Sequence, residues 1–286
     1  MMNKKYLFFL VFMINFFFLS SCNVDHNDNN EVITQLTIAE LSKYHFIGSH
    51  RGLSGYPENS YAAINASIKA GYQLVEIDIM MTRDSVIVVH HDRTVDRLST
   101  GEGKIDSLTY DDLKNLDFGV KYGIDFKGTR ICTLEQILQL AKYNNICLEI
   151  DLTTFSGKIP DVARKCYYEV DRYGLTRSVI FNGYWDTCKL LEELSDGSAN
   201  ISIVYNSSFK KAEQFAEYRN DYHLTFASIS ESNFSKELCE VLHNNDIKVE
   251  VWTINDLEKC KSLFEMGCDY ILTDSIPSNF VNNMLN

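Results

Sequence analysis

Residues 48–96 read GSHRGLSGYPENSYAAINASIKAGYQLVEIDIMMTRDSVIVVHHDRTVD, and the segment LVEIDIMM (Leu74–Met81) inside them decides the fold. Its alternation places Glu76 and Asp78 on one face of a strand and Val75, Ile77 and Ile79 on the other. Two carboxylates side by side in an apolar strand repel each other and are poorly solvated, so a cation belongs between them, and a hard divalent ion is the economical choice. Thr82–Ser85 reads as a turn and Val86–His90 as a second strand. So short a connection permits only an antiparallel hairpin, with His90 opposite Asp78. The hairpin thereby folds a histidine back beside the acids, with His91 near Ile77.

Working outward, short apolar strands alternate with helical patterns. Strands are expected at 44–49, 74–81, 146–152, 178–182, 201–205, 224–228, 249–253 and 270–273. Helices are expected at 60–70, 134–143, 159–173, 185–194, 208–218, 235–244 and 256–266. Eight alternations specify a (β/α)8 TIM barrel, with a β-hairpin excursion after the second strand. Residues 98–130 read as a loop with one short helix, and an excursion of that length belongs on the substrate side. In a barrel, His50, Glu76, Asp78, Glu149 and Trp252 fall toward the C-terminal ends of strands, the face that carries chemistry in this fold. Glu149 then joins Glu76 and Asp78 as a third oxygen ligand, a donor set suited to Ca²⁺ or Mg²⁺ rather than zinc.

The N-terminal residues form no part of this barrel. Lys4 and Lys5 precede an apolar run from Tyr6 to Leu19, which has the length of a signal-peptide core and ends in Leu-Ser-Ser-Cys at Cys22. Residues 1–22 therefore read as a lipoprotein signal with Cys22 as the lipidation site, 23–40 as a flexible tether, and 41–286 as the barrel. The expected location is extracytoplasmic, periplasmic or at the cell surface, with the chain held to the membrane by its lipid. The seven other cysteines (132, 147, 166, 188, 239, 260 and 268) contain no Cys-x-x-Cys pair and read as buried free thiols. A net charge of −12 argues against a nucleic-acid partner. It also gives no long-range attraction for an anionic substrate, so an arginine or a bound cation has to supply it locally. His26, His45, His223 and His243 show no acidic companions and read as structural or exposed.

The ordered motifs His50-Arg51-Gly52, Pro57-Glu58-Asn59-Ser60, Glu76-Ile77-Asp78 and His91-Asp92 resemble the signature of the glycerophosphodiester phosphodiesterase family. The resemblance continues through Leu116–Leu138, Ile146–Asp151 and Val251–Asp274, covering roughly residues 44–282. It implies metal-dependent hydrolysis of glycerophosphodiesters, deacylated phospholipid headgroups, to glycerol 3-phosphate and an alcohol. His50 and His91 would be the acid–base pair, and Glu76, Asp78 and Glu149 would hold the metal. Arg51 would contact the phosphate, with Glu58 and Asn59 as hydrogen-bond partners and Trp252 lining the substrate pocket. No obligate protein partner is implied. Asp92 and Arg97 match family positions after the hairpin, whereas alternation turns His90 toward packing. One position departs from the pattern: Asp151 stands where the family usually carries a phosphate-holding lysine. Either Asp151 strengthens cation binding, or the site takes another phosphodiester or lysophospholipid substrate, or the barrel binds without catalysis.

Overall fold

The computed structural model describes residues 34–153, 159–205, 213–214 and 225–281. Eight parallel strands form the barrel: β1 (Phe46–Ser49), β2 (Leu74–Met81), β5 (Cys147–Asp151), β6 (Val179–Gly183), β7 (Asn200–Tyr205), β8 (Phe226–Ser230), β9 (Lys248–Trp252) and β10 (Tyr270–Thr273). They pair in chain order, and β1 closes the ring by pairing with both β10 and β2. Helices α2 (Tyr61–Lys69), α4 (Leu134–Asn144), α5 (Ile159–Arg172), α6 (Trp185–Ser195), α7 (Lys236–His243) and α8 (Leu257–Glu265) follow strands as the alternation requires. The helix expected over 208–218, the apolar run 6–19 and Cys22 lie outside the described residues. Among the described residues no helix is long and apolar enough to cross a membrane.

Caps set the helix starts. Ser60 and Asp256 accept hydrogen bonds from the backbone N–H groups of Ala63 and Lys259, each satisfying a donor that the first turn leaves free. The main apolar layer lies between barrel and helices, with Val75, Ile77 and Ile79 of β2 facing it. The opposite face of β2 carries Glu76 and Asp78 into the barrel, so one strand supplies both core and chemistry.

Two features depart from the expected plan. Residues 35–40 are not tether: Gln35 Nε2 donates to the Ile146 carbonyl, Leu36 N–H to Asn145 Oδ1, and Ser178 Oγ to the Leu36 carbonyl. The short helix α1 (Ile38–Leu41) then buries Ile38 and Leu41 against Phe46, Leu74, Phe226 and Tyr270, closing the barrel floor. Burial of each such side chain contributes about 1.5–3 kcal/mol, enough to recruit a segment that polarity alone marks as linker. The excursion is also more ordered than a loop. Strand β3 (Ile87–Val89) pairs antiparallel with β2 as the expected hairpin, and β4 (Cys132–Thr133) adds a third strand to its far side. Met80, Val88, Val95, Ile105, Leu113, Phe118 and Ile131 form a separate small core beneath it, which also holds the helix α3 (Tyr110–Leu113).

All seven described cysteines are buried and free, as their apolar contexts predict. His243 does have an acidic companion, Asp269, 2.7 Å from its Nε2. The alternation could not reveal it, because the contact joins α7 to the turn before β10.

Candidate active site

The C-terminal ends of the strands open into a cavity of about 180 Å³, and His50, Arg51, Glu76, His91, Asp151 and Trp252 all line it. The loop from β1 to α2 sets its first wall. Arg51 and Asn59 both adopt left-handed backbone conformations, φ 57° and 56°, an uncommon state for residues with a side chain. The arrangement is held from both sides. Arg51 N–H donates to Glu76 Oε2 at 2.9 Å, and the Arg51 carbonyl accepts from Asn59 N–H at 2.9 Å. Gly52 between them has φ 87°, and a Cβ there would meet the Ala63 backbone at 2.8 Å.

Asn59 is buried behind Asp78, donating from Nδ2 to Oδ2 at 2.7 Å and accepting the Asp78 N–H at 3.1 Å. Arg51 Nε lies 3.1 Å from the same Asp78 oxygen, an ion-pair contact without the alignment of a hydrogen bond. Burial works against the Arg51 charge, but Asp78, Glu76 and Glu58 outweigh it and hold the guanidinium firmly protonated. Glu58 does not line the cavity; it links Arg51, at 3.3 Å, to Arg97, which grips it with two hydrogen bonds of 2.7 and 3.0 Å. Arg97 grips Asp92 in the same way, at 2.6 and 3.1 Å. Glu58 and Asn59, expected to bond the substrate, instead hold the residues that face it.

The two candidate acid–base histidines are built alike. His50 Nδ1 lies 2.7 Å from Asp274 Oδ1, and His91 Nδ1 lies 2.8 Å from Asp92 Oδ1. Hydrogen bonding from His50 keeps the Asp274 carboxyl below its ordinary range, and that from Arg97 holds Asp92 far below it. An ionised carboxylate only accepts, so each ring carries its proton on Nδ1 and has Nε2 left for the cavity. His90 has the expected packing role: it is buried, its Nε2 bonded to the Thr94 carbonyl and its ring edge-on to Phe118. Its N–H donates to the Asp78 carbonyl, the register foreseen for the hairpin.

Of the three expected cation ligands, Glu76 and Asp78 stand close together with Asp151, while Glu149 lies beside Glu76 one step deeper. Glu76, Asp78 and Asp151 each offer an oxygen, all within 4.8 Å of one another. At that spacing two carboxylates repel by roughly 3 kcal/mol at an effective dielectric of about 20. Burial, Asp78 and Asp151 push Glu76 well above the ordinary range, and burial with Asp78 lifts Asp151 to about 6. The donors are all oxygen and crowded enough to demand a positive charge, so they fit a hard divalent ion. Glu149 sits one step deeper on β5, fully buried, where Tyr270 Oη donates toward it at 3.1 Å and toward Glu250 at 2.8 Å. Alternation put Glu149 and Asp151 on the same face; their depth depends on strand register, which pairs Glu76 with Glu149 and Asp78 with Asp151.

A sequence profile of the glycerophosphoryl diester phosphodiesterase family matches residues 50–277. The chain belongs to this family. A glycerophosphodiester phosphodiesterase of Caldanaerobacter subterraneus is 30% identical over 240 residues, which are 82% of this chain and 95% of that protein. The fold of the family recurs in an Oleispira antarctica phosphodiesterase solved with the product sn-glycerol-3-phosphate, at a TM-score of 0.76 and 21% identity, covering 86% of this chain and 99% of that one. It recurs also in a Thermotoga maritima glycerophosphodiester phosphodiesterase, at a TM-score of 0.66 and 22% identity, covering 85% and 98%. Asp274, which meets His50, and Glu250, Asn182 and Tyr184, which line the cavity, escaped the sequence reading. Each stands at or near the C-terminal end of a strand, the one signal that marks them.

Proposed function

We propose that this glycerophosphodiester phosphodiesterase cleaves glycerophosphodiesters to glycerol 3-phosphate and an alcohol, using His50 and His91 as its acid–base pair and a divalent cation at Glu76, Asp78 and Asp151. The observation that carries this reading is the convergence on one cavity of two carboxylate-oriented imidazoles and three mutually close carboxylates. A divalent cation there supplies charge neutralisation to the non-bridging phosphate oxygens. Arg51 adds a second positive charge on the same wall. One imidazole takes the proton of the attacking oxygen, a water or the neighbouring glycerol hydroxyl, as the new P–O bond forms, and where the hydroxyl attacks, water then opens the resulting cyclic ester. The other, as imidazolium, gives its proton to the departing alkoxide as the old P–O bond breaks. With Nδ1 of each ring held by an aspartate, both transfers run through Nε2. Cys22, as a lipidated residue, would hold the enzyme on the extracytoplasmic side of a membrane. That part of the reading rests on the sequence of residues 1–22.

Asp151 supports a second reading of specificity. In place of a lysine it brings negative charge to the cavity, which leaves phosphate attraction to Arg51 and the cation and shifts which phosphodiester is preferred. Glycerol 3-phosphate release from glycerophosphocholine and glycerophosphoethanolamine, with chelator and after Ca²⁺ or Mg²⁺ is restored, tests the first reading. Chelator-sensitive turnover is expected, and turnover that persists in a His50→Asn, His91→Asn double variant would refute the acid–base assignment. Turnover only in Asp151→Lys would show that the native site serves a different phosphodiester.

A further inference from the structure

Tyr122 and Ile124 of the excursion are 47% and 73% exposed, and Tyr56 of the loop from β1 to α2 is 38% exposed. Phe126 joins them, its ring edge-on to Tyr56 at 5.6 Å and to Tyr122 at 5.3 Å. Among the described residues, none of the four takes part in a core cluster. The loop that carries three of them is nonetheless tightly bound. Asp117 accepts hydrogen bonds from the N–H groups of Gly119, Val120 and Gly128, Phe118 N–H donates to the Thr129 carbonyl, and Thr129 Oγ1 donates to the Phe126 carbonyl. A Cβ at Gly119 would collide with that same carbonyl, so the loop closes only on a glycine. Apolar groups fixed in water in this way form a contact surface prepared in advance. The ledge adjoins the catalytic wall. Tyr56 stands two residues before Glu58, which bonds Arg51, and Ser54 N–H donates to the carbonyl of Asp274, whose side chain holds His50. On its other flank Lys121 Nζ donates to the Asp96 carbonyl, next to Arg97.

We propose that this ledge seats the hydrocarbon chain of a lysophospholipid whose phosphodiester lies in the cavity, so that the enzyme releases headgroups from single-chain lipids as well as deacylated ones. The proposal rests on the hydrolytic reading and names a further substrate class for it. A chain esterified at the first glycerol carbon leaves the neighbouring 2-hydroxyl free, so the chemistry is unchanged. Water adds across the bond between phosphorus and the headgroup oxygen; its oxygen ends on phosphorus and a proton leaves with the alcohol. The products are a monoacylglycerol 3-phosphate and that alcohol. A bilayer is a poorer occupant. Asp125 is exposed between Ile124 and Phe126 and would have to enter the lipid with them. The net charge of −12 also repels an anionic surface. A single chain needs only the strip that Tyr56, Phe126 and Tyr122 form ring to ring. Each methylene half covered by such rings gives about a twofold gain, half the free energy of full burial, so about four of them give more than tenfold.

The full chain is kept soluble with an amphipathic polymer, because detergent chains would compete for the ledge. The value of kcat/KM is measured for glycerophosphocholine and for its 1-octanoyl derivative, below the concentration at which the latter forms micelles. The octanoyl compound should be favoured by about tenfold or more, mainly through a lower KM. The double variant Tyr122→Ser, Ile124→Ser, altered only at exposed positions outside the cores, should lose that preference while turnover of glycerophosphocholine stays within about twofold. Equal kcat/KM for the two substrates, or a preference that survives in the double variant, would overturn the proposal. So would a preference that appears only when the substrate is embedded in phosphatidylcholine vesicles, which would make the ledge a membrane-docking surface. A chain that turns over neither compound fails the hydrolytic reading instead. Calorimetric affinities for the same pair then decide the ledge, with the same tenfold difference expected and its absence refuting the proposal.

Discussion

Replacing Arg97 with methionine removes a clamp rather than a contact. Arg97 holds Glu58 through two hydrogen bonds and Asp92 through two more, the shortest 2.6 Å. Those carboxylates in turn hold Arg51 and His91. The Arg97 side chain is 47% exposed, so solvent screens both pairs. At roughly 0.5–1 kcal/mol for each exposed pair, the variant should lose about 1–2 kcal/mol of stability, read as a lower urea midpoint at unchanged slope. The effect on rate should be larger than that loss alone conveys. Asp92 would keep its charge but lose what fixes its position, and His91 would lose the partner that keeps its proton on Nδ1. A tenfold to hundredfold fall in kcat is expected, equivalent to about 1.4–2.8 kcal/mol of transition-state stabilisation. KM should change less, because Arg51 retains Asp78. Arg97→Lys should recover stability better than rate, since an ammonium lacks the fork that grips two carboxylates at once. The assay is release of glycerol 3-phosphate across a range of pH. If Arg97→Met keeps kcat within about twofold and leaves the pH profile unmoved, the clamp does not position His91.

Three further outcomes follow from the same geometry. Asp274→Asn should cut kcat by at least tenfold with little change in melting temperature, because Asn can present its N–H to His50 Nδ1 and favour the wrong tautomer. Asp151 has a folded-state value of about 6, above the ordinary aspartate range. Its contribution to the stability of the metal-free protein is therefore present in acid and lost as pH rises through about 6. Divalent-ion affinity should run the opposite way, weakening as pH falls below about 6 because protons compete for the carboxylate, as calorimetric titrations at several pH values would show. Gly52→Ala should destabilise by at least about 2 kcal/mol, since φ is 87° and the added Cβ would meet Ala63 Cβ at 2.6 Å, and chemical denaturation would measure it.

The barrel was legible in the sequence because its strands are short apolar runs between helical patterns, and the hairpin because its turn leaves a single register. Glu76 and Asp78 were legible because alternation fixes which way a strand residue points, whereas His50 and His91 were marked by the motifs that resemble the family. Depth was not. Whether Glu149 or Asp151 completes the acidic set depends on how far one strand slides along the next, and apolar–polar patterning is blind to a slide that keeps both residues facing inward. Long-range partners were also hidden. Nothing near Asp274 in the chain announces that it meets a histidine 224 positions earlier. Glu58 sits in a motif that implied substrate contact, and only its placement between two guanidiniums shows its supporting role. The ordering of residues 35–40 escaped because two apolar side chains in a short polar segment carry too little periodicity to mark a helix.

The bond between His50 and Asp274 has a consequence for how the enzyme comes into being. One partner follows the first barrel strand and the other follows the last, so the pair exists only once β10 has docked beside β1. A chain still being made, or clipped before its final strand, has its signature residues present and its second histidine already oriented, yet lacks an orienting group for the first. Ring closure is then the arming step. On the proposed reading the orientation of His50 arrives last, and a fragment released by proteolysis ahead of residue 270 should hydrolyse more slowly even where it stays folded.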